Sequence, residues 1–133
     1  MSEPRPGTIQ QRTALFEDAT RVVEADFDKD LNLNDVARRI ATSRRQLQRI
    51  YLEIGHTTFR DQLTRVRMTR AAEMLRRNGV TVREVAGRVG YRQPAQFAKA
   101  FRAHHGVSPS EFRRGEGAAD GDREGRIQRA SVT

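Results

Sequence analysis

Arg44, Arg45, Gln48 and Arg49 carry hydrogen-bonding side chains on the outward face of the segment SRRQLQRIYLEI. Leu47, Ile50, Tyr51 and Ile54 form the apolar face of the same segment. A second segment, PAQFAKAFRAHH, has Phe97, Ala98 and Phe101 on its apolar face, with Arg92, Lys99 and Arg102 in it or just before it. A planar guanidinium fork suits phosphate oxygens and guanine edges, and a glutamine amide suits adenine. These faces therefore point to recognition of a polyanion by charge and hydrogen bonding. Bond-making chemistry has no comparable support. There is no cysteine, no glycine-rich phosphate loop, no Ser-His-Asp grouping and no carboxylate dyad. Ser43, Thr57, Thr58, Thr81 and Ser108 each precede an apolar-periodic run, which is the place of a helix cap rather than a nucleophile. His104 and His105 are adjacent and diverge by about 100° on a helix, so no metal or other cofactor is expected.

The charge distribution singles out the same region. The 133-residue chain carries +8 overall. Residues 31–114 hold 18 Lys+Arg against 6 Asp+Glu, a net +12, whereas residues 1–30 carry −3 and residues 115–133 carry −1. Positive charge confined to one segment is what a polyanion-binding domain requires. No run approaches the roughly 18 apolar residues of a membrane helix, and the start of the chain has no secretory pattern. The expected setting is cytoplasmic, with no membrane partner.

The elements that must position these faces follow from periodicity. MSEPRPGT (residues 1–8) reads as a disordered lead-in, and a helix from about Ile9 to Asp28 carries the stripe Phe16, Ala19, Val23 and Phe27. Asn34 is the expected N-cap of the next helix, with Val36, Ala37 and Ile40 inward; Thr42 or Ser43 caps the helix after it, and Gly55 ends that one. Thr57 or Thr58 opens a long helix to about Arg77, stopped by Asn78-Gly79; its apolar positions are Phe59, Leu63, Val66, Met68, Ala71, Ala72 and Leu75. About 20 residues at ~1.5 Å each span ~30 Å, near one turn of B-DNA. Val85, Ala86 and Val89 face inward in a further helix closed by Gly90; Gly106 ends the next, and Pro109 starts a short last one. Two short helices joined around a tight turn form a helix-turn-helix, whose second helix enters a DNA major groove. Residues from 115 onward read as a disordered tail.

The two helix-turn-helix patterns are copies of one another. Val36-Ala37 and Ile40-Ala41 match Val85-Ala86 and Val89-Gly90 at an offset of 49, and Leu47 and Ile50-Tyr51 match Phe97 and Ala100-Phe101 at 50. Gly55 and Thr57 pair with Gly106 and Ser108 at 51, which makes the turn after the first recognition helix one residue short. The expected architecture is all-α, with about seven helices in two homeodomain-like helix-turn-helix subdomains (about 34–55 and 81–106) joined by a linker helix (about 58–77).

Gly90-Tyr91, Phe97, Phe101, Gly106, Ser108-Pro109 and Phe112-Arg113 follow the pattern G-[FY]…F…F…G-x-S-P-x-x-[FY]-R. In these motifs, and in GHTTFRDQLTRVRMTRAAEML, the chain resembles the DNA-binding domain of the AraC/XylS family of bacterial transcription regulators over about residues 15–114. The resemblance implies base contacts from Arg44, Arg45, Gln48 and Arg49 in the first recognition helix and from Gln93, Ala95, Gln96 and Lys99 in the second. It implies phosphate contacts from Ser43, His56, Thr57, Arg92, Arg102 and Arg113. Arg45, Gln48 and Arg49 suit bidentate base contacts best, so the first helix is expected to supply most of the specificity.

The expected function is sequence-specific regulation of transcription through double-stranded DNA, with RNA polymerase as a second candidate partner and a monomer or weak dimer as the bound form. The chain has no room for the effector or dimerisation domain typical of the family and is similar to its short members. The alternatives are a protein-interaction adaptor or anti-regulator on the same fold, and a non-specific architectural DNA binder.

Overall fold

The structure is a computed structural model describing residues 7–77 and 79–115. The described residues contain seven helices and no strands: α1 (Ile9–Asp26), α2 (Leu33–Arg39), α3 (Arg44–Glu53), α4 (Phe59–Leu75), α5 (Val82–Arg88), α6 (Pro94–His105) and α7 (Pro109–Arg113). They divide into two compact units, Met1–Val66 and Arg67–Thr133, with α4 running through the boundary. Apart from Gly7, Thr8 and Gly115, the lead-in and the tail lie outside the described residues, as does Asn78.

Every helix start except that of α6 is set by a side-chain oxygen that satisfies an orphan backbone N–H group. Ser43 Oγ accepts from the Gln46 N–H at 3.1 Å and Thr58 Oγ1 from the Asp61 N–H at 3.1 Å, which decides both alternatives left open by the sequence. Thr81 with Glu84, and Ser108 with Glu111, form reciprocal capping boxes. The expected cap at Asn34 is corrected to Asn32, whose Oδ1 accepts from the Asp35 N–H at 2.9 Å. The earlier start has a packing cause: Leu31 and Leu33 lie against the core, so the chain enters the helix before Asn34. α4 ends at Leu75, short of the expected Arg77; its 17 residues span about 26 Å at ~1.5 Å each.

In the first unit α1 and α2 pack on α3, and Ala19, Val36, Ala37, Leu47 and Tyr51 form the buried cluster. Tyr51 is its centre. Its ring meets Phe16 edge-on at 5.2 Å and Phe59 at 6.1 Å. Its hydroxyl donates to Gln62 Oε1, and Gln62 Nε2 donates to Thr20 Oγ1 at 2.8 Å. Burial pushes the phenol upward, so it stays a donor. Gln62 is 5% exposed, and periodicity gave no sign of this buried amide. Tyr51→Phe is expected to leave its Oε1 without that donor and to destabilise the first unit by about 1–3 kcal/mol, measured by urea denaturation.

The duplication is closer in space than in the sequence. Asn32 and Thr81 cap at an offset of 49, and Ala41 and Gly90 both adopt left-handed backbone, φ 61 and 98. At the end of the recognition helices, Gly106 is left-handed at φ 86, but its counterpart at an offset of 50 is His56 at φ 53, not Gly55. Thr58 and Ser108 then cap at the same offset of 50. The expected one-residue shortening after α3 is therefore corrected: the turns match, and a histidine occupies the position that glycine fills in the second copy. Gly55 is small for another reason. A Cβ there would collide with the Phe16 ring and lie 2.9 Å from the Tyr51 carbonyl oxygen.

The second unit buries Met68, Ala71, Ala72 and Leu75 of α4 with Val85, Ala86, Val89, Phe97, Phe101 and Phe112. His105 joins this core: its ring lies 4.3 Å from Phe101, and Nε2–H donates to the Met68 carbonyl at 3.0 Å. Burial lowers its pKa below the ordinary value, partly offset by that hydrogen bond, and the nearby Arg76 charge lowers it further. The folded state thus prefers the neutral ring. Its contribution is complete above the unfolded value of about 6.5 and is lost as pH falls through the folded value. Stability of the second unit is expected to decline as pH falls below about 6.5, and denaturation curves of His105→Gln should lack that part of the slope.

Candidate nucleic-acid interface

Ser43 holds the first backbone turn of α3, and Arg44 and Arg45 follow at once as its first two helical residues. Arg44, Arg45, Gln48 and Arg49 are all exposed, whereas Leu47, Ile50 and Tyr51 are buried. At about 100° per residue the four exposed side chains fan over roughly 140° on the side away from the core. Neither Arg44 nor Arg45 has an acidic partner among the described residues. Arg49 differs: its guanidinium lies 3.9 Å from the Glu53 carboxylate one turn later.

α6 presents a weaker version of the same face. Gln93 is its N-cap by backbone geometry, but its side chain makes no capping bond, which leaves the amide available. Pro94 is tolerated at the first helical position because the N–H it lacks would be unpaired there. Ala95, Gln96 and Lys99 lie on the side away from the buried Phe97 and Phe101. Arg92 is exposed in the turn leading into α6.

The first turns of the helices separate these two from most of the others. Asp35, Asp61, Glu84 and Glu111 stand in the first turns of α2, α4, α5 and α7 and complement the positive helix end. α3 and α6 have no acidic residue there, and α3 instead places two arginines against the macrodipole. Such an arrangement costs helix stability and leaves an anion-attracting end exposed.

The residues expected at phosphates stand in different surroundings. Ser43 caps α3 and is exposed; His56 is exposed in its left-handed turn. Thr57 does not cap α4, and its Oγ1 accepts from Arg65 at 3.3 Å. Arg102 lies 3.5 Å from Glu111 in the last turn of α6, away from Gln93 and Gln96 at the helix start. Arg113 donates through Nε to the Leu75 carbonyl at 3.2 Å and through a terminal nitrogen to that of Arg77 at 3.4 Å. Its work is to satisfy the open end of α4. The sequence missed Glu53, because an ion pair to Arg12, distant along the chain, leaves no trace in periodicity.

Among the described residues, no helix is long and apolar enough to cross a membrane, and no group of three or more His, Asp or Glu could hold a metal.

A family model described as a helix-turn-helix domain matches residues 36–115. The chain is 36% identical over 110 residues to an uncharacterized HTH-type transcriptional regulator of Mycobacterium tuberculosis, covering 80% of this chain and 32% of that one. It is 27% identical over 101 residues to the Msm operon regulatory protein of Streptococcus mutans, covering 76% of this chain and 36% of the relative. The chain thus spans about a third of the length of these curated relatives. Among solved structures it is similar to the C-terminal domain of AraT, a response regulator from Geobacillus stearothermophilus (TM-score 0.72, 31% identity, 86% of this chain and 95% of that). It is also similar to the DNA-binding domain of AdpA, a global transcriptional factor, in complex with a target DNA (TM-score 0.70, 26% identity, 82% and 97%).

Proposed function

The chain belongs to the AraC-type helix-turn-helix family, and from that premise we propose that it is a transcription regulator reading duplex DNA with α3 and α6 in the major groove. The observation that carries the reading is the exposed Arg44, Arg45, Gln48, Arg49 face on a helix whose first turn holds cations where α2, α4, α5 and α7 hold acids. Arg44, Arg45, Gln48 and Arg49 read base edges, and Gln93, Gln96 and Lys99 add weaker contacts beside the methyl-sized Ala95. Ser43, His56 and Arg92 meet phosphates. Thr57, Arg102 and Arg113 are left out of this set: the Thr57 hydroxyl donates to the Thr58 carbonyl, Arg102 sits in the last turn of α6 beside Glu111, and Arg113 donates to carbonyls at the end of α4. RNA polymerase is the second partner in this reading, and one chain or a loosely spaced pair is the bound species.

The test is selection of bound duplexes from a random library, followed by titration of the winner at two salt concentrations. The expected result is a motif in two blocks about one helical turn apart, preferred over random DNA by about 10³-fold or more. Affinity should fall steeply with salt. Binding without any preferred sequence would make the protein an architectural factor. Absence of binding would return the question to a protein partner.

A further inference from the structure

Glu53 is the one acidic residue of α3, and it stands in the helix's last turn, where a carboxylate opposes the macrodipole. Local stability therefore does not account for it. Its Oε1 accepts from Arg12 of α1 at 2.6 Å, and its Oε2 lies 3.9 Å from the Arg49 guanidinium. Arg12 is packed into place: its side chain is 23% exposed, and its Nε is buried with no hydrogen-bond partner among the described residues. Orienting Arg12 toward Glu53 thus leaves a buried donor unsatisfied, a cost the fold tolerates. The result is a chain of three charges running from α1 to the base-reading face of α3.

We propose that Glu53, clamped by Arg12, is a positioning residue that holds Arg49 for its base edge, which makes α1 part of the specificity determinant. The proposal rests on the DNA-reading function above. An unrestrained arginine side chain samples many rotamers, and restricting it before binding lowers the entropy that must be given up on the DNA. The same carboxylate repels phosphates, so it lowers affinity for any duplex whatever its sequence. Glu53 therefore exchanges general affinity for discrimination. The second unit lacks the device: Lys99 and Ala103 stand at the positions equivalent to Arg49 and Glu53.

The experiment uses the full chain, with binding measured on the selected duplex and on a random duplex of equal length. Glu53→Gln keeps the size and removes the charge. Random-duplex affinity should rise a few-fold while selected-duplex affinity stays level or falls. Site preference should then drop by about 3–10-fold, the lower range of coupling between contacting side chains. The loss should be confined to one base pair and vanish in an Arg49→Ala background. Arg12→Ala should reduce preference in the same way, and Arg12→Lys should restore most of it. An equal rise on both duplexes would reduce Glu53 to simple repulsion and overturn the proposal. An equal fall on both, or no change, would overturn it too. If the unaltered protein shows no site preference, it is the DNA-reading function that fails, before Glu53 is tested.

Discussion

Alanine at both Arg44 and Arg45 is expected to lower affinity for the selected duplex by about 10²–10⁴-fold while leaving the fold intact. Each well-made bidentate base contact is worth about 1–3 kcal/mol, and the two arginines together account for that range. Both are exposed and lie at the start of α3 without an acidic partner among the described residues, so removing them breaks no interaction of the core. Taking two cations from the positive end of a helix should leave the melting temperature unchanged or slightly higher. The slope of affinity against salt should shrink by about one unit for each phosphate that the variant no longer neutralises. Equal losses on selected and random duplexes, with a smaller slope, would assign both residues to phosphates. A lower melting temperature would show that they serve the fold.

Phe101→Ala should instead unfold the second unit while sparing the first. Phe101 is fully buried, with ring centroids of Phe97, Phe112 and His105 at 5.8, 5.4 and 4.3 Å. Truncating a phenylalanine in such a site costs about 3–5 kcal/mol, a large share of the roughly 5–15 kcal/mol that hold a typical domain. The chain supplies its own reporters, because its two tyrosines, Tyr51 and Tyr91, fall one in each unit. In urea, the Tyr91 ring resonances should lose native dispersion well before those of Tyr51. Simultaneous loss of both would mean that the two units unfold as one cooperative body.

Much of this molecule was legible because helices announce themselves by period and cap. The buried faces Leu47, Ile50, Tyr51 and Phe97, Phe101 follow from 3.6-residue spacing alone, and so do the exposed arginines opposite the first of them. Ser43, Thr81 and Ser108 cap where a short hydroxyl precedes an apolar run. Gly106 ends α6 because a left-handed residue is cheapest without a Cβ. These are local effects, decided within about one helical turn.

Tertiary packing decided the rest. Asn32 and Asn34 are equivalent as caps by type; the cap is Asn32, flanked by the half-buried Leu31 and Leu33 that pack against the core. Gly55 looked like a helix terminator, yet it is small because Phe16 arrives from another helix, while His56 adopts the left-handed turn. Arg113, expected at phosphate, donates to the Leu75 and Arg77 carbonyls where α4 ends. The sequence by itself determined which faces are apolar, where most of the helices begin and where the positive charge lies, because those depend on spacing along one chain segment. Which cations are held within the fold, as Arg12 is by Glu53 and Arg113 by the end of α4, depends on groups 36 to 41 residues apart that meet only when the chain folds.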